Sequence, residues 1–141
     1  MATDFLEALA DSNAVGLYIE EGISMCGGEA ELYREVLASF CDDLQKRLSF
    51  LVSAPMDENG MKDFIIQAHA IKNLCAVVGA GPLSLDALNL ELDGKAGDFG
   101  AVKKNLPAFR EKLLLLLEYL DEIPLEGDFS ETGTEIAAFD G

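Results

Sequence analysis

Apolar residues recur along this chain at steps of three and four, and no stretch alternates as a strand would. From about Glu29 to Ser53, the series Leu32, Val36, Leu37, Phe40, Leu44, Leu48 and Leu51 predicts a long amphipathic helix closed by Ala54-Pro55. Asp57-Glu58-Asn59-Gly60 has turn composition, and a second long helix is expected from about Met61 to Val78, stopping at Gly79 or Gly81. Pro82 suits a helix start, with Leu83, Leu85, Leu88, Leu90 and Leu92 supplying apolar surface up to about Asp93 and Gly94 as the stop.

The segment from about Asp98 to Ile123 contains Pro107, which removes a backbone donor and clashes with the preceding turn of a helix. The spacing predicts a short helix to about Lys104 and a fresh start capped by Asn105, running through the leucines at 113–117; one kinked helix is the other option. Those leucines are expected in the core, the outermost covered by the N-terminal helices. Ahead of the long series, short helices are expected over about Asp4 to Ala10 and Val15 to Met25, the latter ended by Gly27-Gly28. Four useful helices with short links predict an all-α protein, an antiparallel four-helix bundle over residues 1–123 with the short N-terminal helices as a cap. Residues 124–141 carry acidic and small residues and neither Lys nor Arg, so they are expected to be a flexible tail that adds nothing to the core.

Composition removes several classes of function. Half of the 141 residues are hydrophobic, enough for one continuous core. With 26 acidic against 10 basic residues and a net charge of −16, the chain lacks the clustered cations that nucleic acid or an anionic membrane demands. No apolar run approaches the ~20 residues needed to span a bilayer, and the opening residues lack the pattern of a signal peptide. A cytoplasmic protein is expected. Cys26, Cys41 and Cys75 are odd in number and set among helix-core residues, which favours reduced, buried thiols over disulfides or zinc.

The candidate chemistry lies in the second long helix. At about 100° per residue, Phe64, Ala68, Ile71, Cys75 and Val78 fall within roughly 80° of one another as a core-facing stripe. His69, the only histidine, lies about 140° from the centre of that stripe, so its ring should meet solvent or a partner. Ile65, Ile66, Lys72, Asn73 and Ala76 surround it on the outer face. Ile66 stands about 160° from the stripe, where packing gives an isoleucine no reason to be, and a docking patch for another protein is the expected use of this rim.

Ala68-His69-Ala70-Ile71-Lys72, followed by Gly79-Ala80, Leu83 and Leu90-Glu91, resembles the histidine-containing phosphotransfer (HPt) domains of multistep two-component phosphorelays. The likeness extends upstream through Glu21-Gly22-Ile23, Gly27-Gly28, Glu31-Leu32-Tyr33 and Leu37-Ala38-Ser39-Phe40, and so covers about residues 15–120. It implies that an imidazole nitrogen of His69 takes a phosphoryl group from the phospho-aspartate of one response-regulator receiver domain and gives it to the aspartate of another. A hybrid sensor kinase is a possible further partner, Mg²⁺ is expected from the receiver, and the chain is expected to need no cofactor of its own and to be a monomer. The family usually carries Gly directly after the Lys. Asn73 stands here instead and alters the clearance beside the imidazole.

The residues permit this chemistry. A neutral imidazole offers a free lone pair, and Lys72, three residues on, can bring an ammonium to phosphoryl oxygens. With no nucleotide-binding loop, self-phosphorylation from ATP is not expected, so the protein is not read as an enzyme. The competing reading is an acidic helical adaptor that binds a kinase or regulator without carrying phosphate; it needs neither an exposed imidazole nor a neighbouring ammonium. A metal-dependent bundle enzyme would need two Glu-x-x-His pairs, which one histidine cannot supply.

Overall fold

The computed structural model describes residues 2–125, and among the described residues the regular structure is helical throughout. The helices are α1 (Ala2–Ala8), α2 (Ile19–Met25), α3 (Ala30–Leu48), α4 (Glu58–Val78), α5 (Gly81–Lys95) and α6 (Phe99–Asp121), with a 3₁₀ turn over Ser12–Val15. α4 packs on α3 and α5, α6 packs on α5 and α3, and α2 lies against α3 and α4. A single cluster of buried side chains runs through α1 and α3 to α6, including Tyr33, Leu37 and Phe40 from α3 and Leu106, Leu113 and Leu116 from α6, and the half-buried Ile19 and Ile23 of α2 pack against it. No described helix is long and apolar enough to cross a membrane.

Several boundaries differ from the periodicity, for local reasons. α4 begins inside the expected turn because Asp57 caps it, its carboxylate accepting from the Gly60 N–H at 2.7 Å. α3 stops at Leu48, where the Ser49 hydroxyl donates to the Lys46 carbonyl at 2.6 Å and the next residues turn to tuck Leu51 into the core. The start expected at Val15 moves to Ile19, because the 3₁₀ turn ends at Gly16 and Tyr18 stays extended, its N–H donating to the Gly79 carbonyl at 2.9 Å. Gly79 caps α4 with φ +88, a backbone conformation that side chains with a Cβ rarely adopt.

α6 is one helix and not two. Asp98 is its N-cap, accepting from the Ala101 N–H at 3.0 Å, and Asn105 is an ordinary exposed helical residue. Pro107 is exposed, so the carbonyl it leaves without an intrahelical partner can turn to water, while the stripe Val102, Leu106, Phe109 and Leu113 holds both halves on the core. Within the leucine run, Leu113, Leu116 and Leu117 are buried, but Leu114 and Leu115 face outward and the N-terminal helices do not cover them. Leu32 of α3 is likewise exposed. The thiols of Cys26 and Cys75 are free and buried, and Cys41 is half-buried.

The expected boundary at residue 123 falls short of the folded part. Leu125 is buried, and the buried Arg34 of α3 donates through Nε to the Leu125 carbonyl at 3.1 Å and through Nη2 to that of Pro124. The same guanidinium lies over the Phe5 ring, 5.5 Å from its centroid, and pairs with Glu31 at 3.3 Å. One cation thus ties α1, α3 and the segment that follows α6 together. Leu125→Ala is expected to lower stability by about 2 kcal/mol, the low end for a buried leucine at the edge of a core. Chemical denaturation checks this, and an unchanged midpoint would mean that Leu125 adds nothing. The rest of the expected tail, 126–141, lies outside the described residues.

Candidate functional site

His69 sits midway along α4, and the expected stripe beneath it is buried at every position, Phe64, Ala68, Ile71, Cys75 and Val78 alike. The imidazole therefore projects from the opposite side, with its side chain 54% exposed. Burial pushes the Cys75 thiol up to about 12, with Asp86 adding to the effect, so this sulfur is an inert packing group.

What the periodicity of α4 alone could not reveal is a carboxylate from the next helix. Glu91 of α5 has a side chain only 3% exposed, and it faces three nitrogens. Its Oε2 lies 2.9 Å from His69 Nδ1 and 3.0 Å from Lys95 Nζ, and its Oε1 accepts from Lys72 Nζ at 2.9 Å. Desolvation by itself would raise this carboxyl. Hydrogen bonds from Lys72, Lys95 and His69 more than offset it and bring the value down to about 2. Glu91 is therefore ionised near neutral pH and can only accept.

The proton on the ring follows from that. Because Oε2 accepts, Nδ1 carries the hydrogen and Nε2 of the neutral imidazole keeps its lone pair. Lys72 Nζ also lies 3.3 Å from Nδ1, but a protonated nitrogen cannot accept from an ammonium, so the bond that matters for Lys72 is the one to Glu91 Oε1. Lys72, 23% exposed, is thus held by Glu91 and is not a free surface charge.

Close helix packing brings these groups together. Gly94, expected as the stop of α5, lies inside its last turn and is buried; a Cβ there would come within 2.9 Å of Ile65 Cγ1. Its lack of a side chain lets α5 approach α4 beside Ile65, one turn from Glu91 and adjacent to Lys95. Further along, the Ser84 hydroxyl donates to the Lys72 carbonyl at 2.9 Å and fixes the other end of the same interface.

The expected rim is brought together only in part. Ile66 is 61% exposed and Asn73 and Ala76 are exposed, while Ile65 is half-buried against the core. Asn73 lies toward α3, lining a groove with Val36, Phe40 and Val77. On the α5 side, Lys72 and Ala76 share a shallow pocket of about 320 Å³ with Leu85 and Leu88. Leu85, one of the leucines expected to supply apolar surface, is exposed, which extends the apolar rim across both helices. Sequence reasoning passed over Glu91 and Lys95 as site residues; the available signal was an acidic residue between Leu90 and Leu92 with a lysine four positions on.

Comparison with family models, with curated proteins and with solved structures finds no match for this chain.

Proposed function

We propose that the protein is a phosphorelay intermediate of the HPt kind, accepting a phosphoryl group on His69 from a receiver-domain phospho-aspartate and passing it to another receiver aspartate. The observation that carries this reading is the Glu91 carboxylate 2.9 Å from Nδ1 of an otherwise exposed, solitary imidazole. In this reading α3 to α6 form an antiparallel four-helix bundle capped by α1 and α2, and the protein works in the cytoplasm.

The chemistry follows from the proton on Nδ1. The Nε2 lone pair attacks phosphorus, an N–P bond forms, and the P–O bond to the aspartyl group breaks with its electron pair leaving on the receiver carboxylate. Nδ1 keeps its proton, so the ring gains positive charge as Nε2 bonds phosphorus, and the Glu91 carboxylate against Nδ1–H stabilises that charge. In the second transfer, a receiver aspartate attacks phosphorus and the N–P electrons return to Nε2. Mg²⁺ for either step belongs to the receiver. Lys72, next to the ring, supplies positive charge for the phosphoryl oxygens, while Ile66, Ala76, Leu85 and Leu88 offer apolar surface that excludes water while two proteins align.

Incubating the full chain with receiver domains charged by acetyl phosphate tests the reading. Acid-labile, base-stable phosphate should appear on the protein; binding of receivers without any transfer would favour the adaptor instead. Lys72→Ala is expected to slow single-turnover transfer by at most about 100-fold without eliminating it, since a partly exposed ammonium is worth less than a donor in a dry site. An unchanged rate would make Lys72 a structural partner of Glu91 alone.

A further inference from the structure

Lys95 stands apart from the residues that the phosphotransfer reading uses. It lies in the last turn of α5, four residues after Glu91, and its side chain is 56% exposed. An exposed pair at this spacing ordinarily contributes little to a helix. Here the partner is a buried carboxylate, and the oxygen that Lys95 contacts at 3.0 Å is the one that accepts from His69 Nδ1.

The two oxygens of Glu91 are therefore held separately. Lys72 draws Oε1 from the α4 side and Lys95 draws Oε2 from within α5. Two cations on two oxygens remove the rotation about the last side-chain torsion that would otherwise let the carboxylate turn both oxygens toward Lys72. The geometry points to Lys95 as a positioning residue that pins Glu91 Oε2 against Nδ1 and thereby holds His69 in the Nδ1–H tautomer, with Nε2 free to attack.

This matters because an unconstrained histidine prefers the opposite tautomer, with hydrogen on Nε2 and no lone pair there for phosphorus. Which nitrogen carries the proton is set by the hydrogen bond the other ring nitrogen is offered, so a loosened Glu91 lets the unreactive form return. Lys95 acts through Glu91 and does not itself need to reach the phosphoryl group. Gly94 beside it supports the same arrangement, since α5 could not approach α4 as closely with a side chain at that position.

The tautomer is directly observable because His69 is the only histidine, so its two ring nitrogens give unambiguous signals in a ¹⁵N-labelled full chain. At a pH where the ring is neutral, the parent protein should show the Nδ1–H form in large excess. Lys95→Met should raise the share of the Nε2–H form at least about threefold, and Lys95→Arg, which keeps a donor cation, should restore the parent ratio. An unchanged tautomer ratio in Lys95→Met overturns the proposal, including the case where melting drops but the ratio stays, which is what a merely structural ion pair would give. The consequence for rate rests on the phosphotransfer reading and is read separately: acceptance by Lys95→Met should fall about 3–10-fold and recover in Lys95→Arg. If the parent accepts no phosphoryl group, that reading fails, while the ring spectrum still decides the role of Lys95.

Discussion

His69→Gln is expected to abolish phosphoryl acceptance completely while leaving the fold in place. His69 is the only histidine in the chain and so the only side chain that can carry phosphohistidine, so the loss should be total and not a reduction. The substitution is mild for the structure. His69 makes no contribution to the buried stripe of α4, and a glutamine amide can still donate to Glu91 Oε2. Helical circular dichroism should be unchanged and stability should move by under about 1 kcal/mol, as for most substitutions at exposed positions. Radiolabel retained at parental levels by His69→Gln, after charged receivers are added, would place the acceptor elsewhere and end the phosphotransfer proposal.

Glu91→Ala is expected to have the next largest effect, a fall of about 10–100-fold in acceptance rate, comparable to losing a group that orients and charges a reacting ring. The substitution removes the acceptor for Nδ1–H, the counter-charge for the developing imidazolium and the shared anchor of Lys72 and Lys95. The two ammonium groups would then face each other without the carboxylate between them, so stability should fall as well. Glu91→Gln separates the contributions: the amide oxygen can still accept one bond, but the charge is gone, and acceptance should lie between that of the parent and that of Glu91→Ala.

The same carboxylate gives a pH signature. Its value is near 2 in the fold against an ordinary 4.5, so between those limits the unfolded chain binds more protons than the folded one. The stability Glu91 contributes is present in full above about pH 4.5 and drains away as pH falls toward 2. Acid denaturation of Glu91→Gln should show less loss across that window than the parent. Parallel curves for the two proteins would show that the ion cluster is not coupled to folding.

Much of the helical content was legible because burial of one face imposes a period on the residues that make it. The stripe of α4 illustrates this: all five of its members are buried, and the outward position of His69 is a geometric consequence of theirs. Where the same logic was applied to the leucines, it overreached. Leu114 and Leu115 are apolar yet exposed, since composition says that a residue can be buried but not that a neighbour exists to cover it. Pro107 misled for a related reason. A proline on the solvent side of a long helix leaves its orphan carbonyl to water, and seven buried side chains of α6 on both sides of it outweigh the lost bond.

By itself, then, the sequence determined the helical class, the outward histidine with Lys72 one turn away, and the resemblance from which a function could be proposed. All of these rest on separations of a few residues, which helix geometry converts directly into shared faces. The pairing of α4 with α5 was decided only by the tertiary structure. His69 and Glu91 are 22 positions apart, and their 2.9 Å contact depends on Gly94 meeting Ile65 and on Ser84 reaching the Lys72 carbonyl. The same holds for Arg34, whose partners Pro124 and Leu125 lie some 90 residues away and carry the fold past the point where composition suggested it ended. Local periodicity fixes which side of a helix faces inward, but the rotation and approach of one helix against another are set by the packing of the whole core.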